Sequence, residues 1–287
     1  MSSRSTPRCA CLRLDGLSLV ITLSALPFSP VRNHHMSKPL SGKVAFITGG
    51  ARGIGRATAL KLAAAGCDVA IAYHNSHEEA EAVCAAVRAH GQRAFATQAD
   101  VSDAESVAEA FGEFKKQFDR VDIVISNAAI GVLRPALEMN VKHWRRCMET
   151  NALALNTLAQ NAVPLMREGG CLIGISSLGS VRAIPHYSFI GASKAALESL
   201  ARGLALELGF TKKIRVNIVS AGVVDTDALK HFPNREQLLA EYAKRTPLGP
   251  TLVTEQVADA VYLLCLPEAS MITGHTLVVD GGYCITG

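Results

Sequence analysis

Residues 175–194 read Ile-Ser-Ser-Leu-Gly-Ser-Val-Arg-Ala-Ile-Pro-His-Tyr-Ser-Phe-Ile-Gly-Ala-Ser-Lys and include an adjacent serine pair (Ser176, Ser177), a tyrosine (Tyr187) and a lysine (Lys194). Hydroxyl donors beside an ammonium suit a site that polarises a carbonyl. They aim hydrogen bonds and positive charge at an oxygen that turns negative in the transition state. An apolar run ends at the serines and a long helical pattern follows, so the stretch joins a strand to a helix. Tyr187 precedes Lys194 by seven residues. Two helical turns take ~7.2 residues, so the two side chains return to nearly the same face, as an offset of four also would. The plainer reading of Tyr187 is a partly buried aromatic at the helix entry.

A second group lies upstream. Gly49, Gly53 and Gly55 fall in Thr48-Gly49-Gly50-Ala51-Arg52-Gly53-Ile54-Gly55, after the first apolar run and at the opening of the first helix. There the chain must turn tightly, and helix-start N–H groups must approach a pyrophosphate with no side chain between them. A tight turn with close helix–sheet packing is the structural alternative. In such folds an acid ~20 residues further on binds the ribose 2′-hydroxyl of NAD. Here the second strand ends Tyr73-His74-Asn75 with no carboxylate, which removes repulsion to a 2′-phosphate. Arg52 can pair with that phosphate or stay a solvated surface charge, and the reading favours NADP(H). Asp100-Val101 and Asn127-Ala128-Ala129 follow the third and fourth apolar runs, at the ligand-binding carboxyl edge of an open α/β sheet. Asp100 could accept from the adenine amine. Asn127 either contacts the ligand or stitches neighbouring loops.

Positioning these groups takes a sheet with helices on both faces. The pattern predicts strands over 44–47, 69–73, 94–98, 121–126, 171–176, 214–219 and 276–279, alternating with helices. That is a single doubly wound α/β (Rossmann) domain with a parallel sheet of about seven strands, over residues 36–287. Ser76 with Glu79, and Ser102 with Glu105, read as capping boxes. Residues 225–250, punctuated by Pro233, Pro247, Gly249 and Pro250, are expected to form a mobile cover.

The net charge is +4, of which residues 1–35 carry +3. The remaining body is near neutral and argues against nucleic acid. No run reaches the ~18 apolar residues of a membrane span. The eight cysteines form no Cys-x2-Cys pair, so no metal site is expected, and free thiols point to a reducing, cytoplasmic compartment. The Ser/Arg/Pro-rich leader 1–35 reads in three ways: a secretory signal with a poor cleavage site, an organelle transit peptide, or an extension before a true start at Met36.

Taken in order, the set resembles the short-chain dehydrogenase/reductase family over residues 40–283. The resemblance is carried by the Thr48–Gly55 turn, Asp100-Val101, Asn127-Ala128-Ala129, Asn151, Ser177, Lys194, Arg215-Val216-Asn217, Ser220-Ala221-Gly222 with Thr226, and Thr273-Gly274-His275 with Asp280-Gly281-Gly282. Three departures stand out. Ala129 and Ala221 replace the family's usual Gly and Pro. Ile190 occupies the position four before the lysine, where most members carry the catalytic tyrosine. Tyr187 is the nearby replacement, and its seven-residue offset is similar to that of enoyl-acyl-carrier-protein reductases in this superfamily. Segments 131–135, 176–180 and 225–236 are similar to the NADPH-dependent type III enzymes. Asn75 stands where that subgroup has a basic residue, so the NADP(H) reading leans on Arg52.

The resemblance implies reduction of an acyl-carrier-protein- or CoA-linked trans-2-enoyl thioester, in fatty acid synthesis, by a homotetramer. Tyr187 would donate to the enolate oxygen. Lys194 would hold the nicotinamide ribose, and its charge would favour the enolate and an acidified tyrosine. Ser177 would be an auxiliary donor or a strand-end cap. Asn151 would bend its helix and bind water, or be a satisfied core amide. Gly49, Arg52, Gly53, Ile54, Gly55, His74, Asn75, Asp100, Val101, Asn127, Ala128, Gly222, Val224 and Thr226 would line the dinucleotide. Lys142, Arg145, Arg146, Lys212, Lys213, Lys230 and Arg235 could meet an acidic carrier or be solvated charges. Two alternatives stay open: a 3-oxoacyl or hydroxysteroid-type ketoreductase, and a catalytically silent dinucleotide-binding regulator.

Overall fold

The structure, a computed structural model, describes residues 38–226, 235–249 and 252–286. The leader, Met36 and Lys230 lie outside the described residues. Seven strands form one sheet: β1 (Val44–Thr48), β2 (Asp68–Tyr73), β3 (Ala94–Gln98), β4 (Ile123–Ser126), β5 (Cys171–Ser177), β6 (Arg215–Ala221) and β7 (Thr276–Val279). Their spatial order is β3-β2-β1-β4-β5-β6-β7, and every pairing is parallel. The order reverses between β1 and β4, so the carboxyl ends of these strands flank the crevice where open α/β sheets bind ligands.

Both faces of the sheet are covered, which is why the strands read as apolar runs and not as alternating ones. The period of two survives in where each residue packs. Ala45 and Ile47 of β1, Ile123 and Ile125 of β4, and Ile173 and Ile175 of β5 meet α1 (Gly53–Ala64), α2 (His77–Ala89) and α8 (Thr254–Cys265). Phe46, Val124 and Leu172 point the other way, to α3 (Ala104–Gln117), α5 (Ala154–Ala162) and α6 (Ser188–Lys212). On that side Phe46 stacks on Phe111 at 4.5 Å and meets Phe114 edge-on at 5.6 Å.

The local expectations needed several corrections. Ser102 does not cap α3. Its N–H and hydroxyl both donate to Asp100 Oδ1, at 2.9 and 2.6 Å, and Asp103 takes the N-cap by accepting from the Glu105 N–H at 2.9 Å. Ser76 precedes α2 but makes no side-chain cap bond; its ψ of 65° departs from the extended backbone that aims a capping hydroxyl. β4 begins only at Ile123; just before it the Asp122 side chain accepts from Lys43 and the Val44 N–H, both at 3.0 Å, and pairs with Arg120 at 3.3 Å. β5 and β6 run on to Ser177 and Ala221, which pair with each other. The segment read as a mobile cover contains helix α7 (Arg235–Arg245), a polar helix whose buried anchor is Tyr242.

The helix expected around Asn151 is three pieces: α4 (Val141–Met148), a π-helical turn over Glu149–Leu153, and α5. The six described cysteines are free thiols, and no helix among the described residues is long and apolar enough to cross a membrane. The Phe46–Phe111–Phe114 cluster gives a test. Phe111→Ala should lower stability by about 3–5 kcal/mol, read as a lower urea midpoint at unchanged slope.

Candidate active site

The glycine turn is built on Thr48. Its hydroxyl donates to the Ile125 carbonyl at 3.3 Å and accepts from the N–H groups of Asn127 and Ala128 at 3.0 and 3.1 Å, joining the ends of β1 and β4. Asn127 completes the joint, its amide donating to the carbonyls of Thr48 at 2.9 Å and Gly49 at 3.1 Å. Loop stitching is therefore its observed role. Gly49 has φ +63°, and a Cβ there would lie 2.9 Å from Asn127 Nδ2. A Cβ at Gly55 would overlap the Gly49 carbonyl, and one at Gly50 would lie 2.5 Å from Ile71. Gly50 was missed in the sequence, although the Gly49-Gly50 doublet was its signal.

Gly53 opens α1, Ile54 packs on the core, and the first turn holds no acidic residue. Arg52 is the extended, exposed residue before it. His74 and Asn75 are exposed beyond β2. Asp100 lies beyond β3, where the Ser102 hydroxyl holds its carboxyl below the usual range, so it is ionised at neutral pH. Val101 is buried and packs. A side-chain-free turn at a helix start, flanked by a cation and lacking an acid, fits a dinucleotide phosphate.

The other half sits at the ends of β5 and β6. Ser177 Oγ accepts from the Gly179 N–H at 3.1 Å and from the Tyr187 hydroxyl at 3.2 Å. Tyr187 is the residue before α6 and not a member of it, and its carbonyl closes the first turn with the Gly191 N–H at 2.7 Å. Its ring lies on Gly179, where a Cβ would come within 2.5 Å. Burial raises the Tyr187 pKa above its ordinary value, with the Ser177 bond opposing. That direction is opposite to the acidification expected from the nearby lysine.

Lys194 is buried and donates to the Ile175 carbonyl at 2.8 Å. Desolvation lowers its pKa to about 8, against the supporting charge of Glu198. Glu198 is itself buried and accepts from the Ser176 hydroxyl at 2.6 Å.

Ile190 is buried against Gly131, with no room left for a Cβ at 131. Asn151 accepts from the Ile130 N–H and donates to the Ile130 carbonyl, both at 2.8 Å, and donates to Ser193 Oγ at 2.9 Å. It is a satisfied core amide that ties the loop after β4 to the α6 turn ahead of Lys194. His186, immediately before Tyr187, has φ +62° and turns the chain into the helix. Neither it nor Glu198 was singled out in the sequence; only a histidine's tolerance of the left-handed region hinted at the first.

At the end of β6 Gly222 lies under Tyr242, whose hydroxyl a Cβ at 222 would overlap, and Val224 bridges to Leu252. Thr226 reaches the glycine turn, its Cγ2 3.9 Å from where a Gly53 Cβ would stand. The fold thus brings Tyr187 to Ser177, anchors Lys194 on the same strand, and carries Thr226 to within reach of Gly53. Of the basic residues considered for a carrier, Lys142, Arg145 and Arg146 are exposed on α4, Lys212 donates to the Val163 carbonyl at 2.9 Å, and Arg235 pairs with Asp225 at 2.6 Å.

Residues 49–284 match a protein family described as enoyl-(acyl carrier protein) reductase. The 1-cyclohexenylcarbonyl-CoA reductase of Streptomyces collinus is 38% identical over 245 residues, 85% of this chain and 87% of that one. The tetrahydroxynaphthalene reductase of Pyricularia oryzae is 33% identical over 261 residues, 87% of this chain and 92% of that one. Among solved structures, a short-chain dehydrogenase from Burkholderia cenocepacia in complex with NADP superposes with TM-score 0.79 at 35% identity, over 86% of this chain and 99% of that one. With the sheet order and the glycine turn already in place, this chain belongs to the short-chain dehydrogenase/reductase family of NAD(P)-dependent oxidoreductases.

Proposed function

We propose that this chain is an NADPH-dependent reductase of trans-2-enoyl thioesters, carried on acyl carrier protein or CoA, with residues 36–287 as its catalytic domain. One observation carries the reading. The hydroxyl next to Ser177 belongs to Tyr187, while the position four before Lys194 is filled by Ile190, packed on Gly131. The name of the Streptomyces relative, a reductase of an unsaturated acyl-CoA, supports the same class. The similarity to the type III enoyl reductases seen in the sequence narrows it further. A ketone reductase is the second reading, favoured by the tetrahydroxynaphthalene reductase.

The glycine turn, Arg52 and the exposed His74 and Asn75 would hold the adenosine and 2′-phosphate half of the nucleotide. Lys194, Thr226 and the backbone near Gly222 and Val224 would hold the nicotinamide half. When bound, NADPH supplies hydride for the β-carbon of the enoyl group. The chain must then stabilise negative charge on the thioester oxygen, which appears only as the reaction proceeds. Tyr187, a half-buried phenol, would turn its one proton from Ser177 Oγ to that oxygen, and the Ser177 hydroxyl would then donate to the tyrosine oxygen in return. The Lys194 ammonium adds positive charge from within the fold.

NADPH oxidation with crotonyl thioester against acetoacetyl thioester tests the reaction. Turnover of the first and not the second is expected; turnover of the second alone supports ketone reduction, and turnover of neither with NADPH still bound supports a silent binder. Tyr187→Phe should lower kcat for the enoyl substrate about 10²–10³-fold, and full activity in that variant would remove the tyrosine's role. A KM for NADPH well below that for NADH is the expected result for Arg52 beside an acid-free β2 end, and Arg52→Ala should narrow the gap.

The lysine sets a pH dependence. With its pKa depressed to about 8, the ammonium is present below that value and is lost as the pH rises through it. Activity should fall above about pH 8. Glu198→Gln removes a charge that supports the ammonium and should move the fall to lower pH, visible in the pH profile of kcat.

A further inference from the structure

We propose that Tyr283 is a positioning residue that locks helix α7 and the Tyr187-bearing loop into one unit. That α7 covers substrate rests on the proposed enoyl reduction; the mechanical link does not.

After β7 the chain turns through Gly281 and Gly282, with φ +63° and +90°. The buried Asp280 carboxylate coils it, accepting from the N–H groups of Gly282 at 2.9 Å and Cys284 at 2.7 Å. This coil turns the Tyr283 ring onto Tyr242 of α7, with centroids 4.6 Å apart. The Tyr242 hydroxyl donates back to the Asp280 carbonyl at 2.8 Å. From the last turn of α7, the Arg245 guanidinium stands 4.8 Å from the Tyr283 ring centroid and donates to the Thr286 carbonyl at 2.9 Å. The Thr286 hydroxyl returns a bond to the Arg245 carbonyl at 2.9 Å.

A second guanidinium meets the same ring from the catalytic side. Arg182 is 5.9 Å from its centroid and donates to the Cys284 carbonyl. It stands five residues before Tyr187, and both line a cavity of about 230 Å³ with Gly179, Ser180 and Gly191. One aromatic ring therefore attracts two cations, each within the ~6 Å over which a ring face binds charge. One cation belongs to α7 and the other to the loop that delivers the hydroxyl donor. Losing the ring removes the contact the two guanidiniums share and leaves each held at this corner by its carbonyl bond. The tyrosine hydroxyl contributes little, since its bond from Arg245 spans 3.5 Å.

The experiment compares the full chain, Tyr283→Ala and Tyr283→Phe, each with NADPH bound. Amide hydrogen exchange is read in 182–187 and 235–245, alongside kcat and KM for crotonyl thioester and NADPH affinity by nucleotide fluorescence. In Tyr283→Ala, exchange should accelerate about fivefold or more in both segments together. KM for the thioester should rise about tenfold with NADPH affinity within about twofold. Tyr283→Phe should restore all three. Acceleration in one segment alone, a phenylalanine variant no better than alanine, or unchanged KM with both segments loosened would overturn the proposal. Should Tyr283→Ala fail to fold, Arg182→Met cuts only the catalytic-side contact and must still loosen 235–245. If the wild type turns over no thioester, the exchange measurements still decide the link, and only the enoyl reading fails.

Discussion

An ammonium inside a protein is tolerated only where fixed partners replace the water it has lost. Lys194 is 6% exposed, and its support comes from β5 and from one turn further along α6. The Ile175 carbonyl accepts its hydrogen bond, the Glu198 carboxylate supports its charge, and Ser176 holds that carboxylate. Ser177 receives the tyrosine hydroxyl. Strand end and helix must therefore keep one register, and much of the surrounding structure serves that register. The parallel pairing of β5 with β4 and β6 fixes the strand. Asn151, from a π-helical turn that breaks the regular ladder, fixes the helix through Ser193 and the loop after β4. π turns of this kind frequently mark functional sites, because they redirect a side chain at the expense of helical bonding.

Local, composition-driven features were legible in the sequence. Strands buried on both faces announced themselves as apolar runs, and the glycine turn by its place between a strand and a helix. Competition between neighbours was not. Ser102 had the right type for a cap, yet Asp100 drew its hydroxyl away and Asp103 took the position. Helix α7 escaped notice because its chain is polar and its anchors are Asp280, Tyr283 and Thr286 at the far end of the sequence.

The site divides in the same way. Counting from Tyr187 to Lys194 exposed the displaced hydroxyl, since both residues lie in one short stretch. The stitching bonds of Asn127 to Thr48 and Gly49 span nearly eighty residues of chain and become visible only in the fold. Asn151 with Ile130, Ile190 with Gly131 and Ser176 with Glu198 are likewise pairings made by the fold. The tyrosine's protonation also belongs to this class. A lysine seven residues on suggests acidity in the sequence, whereas enclosure of the ring over Gly179 pushes its pKa upward.

Ile190 and Gly131 also bear on how such a chain can change over generations. The isoleucine side chain occupies the space that a side chain at 131 would need. Enlarging the glycine therefore requires the isoleucine's terminal methyl to move aside. In genetic terms, the residues tolerated at 131 depend on which side chain stands at 190.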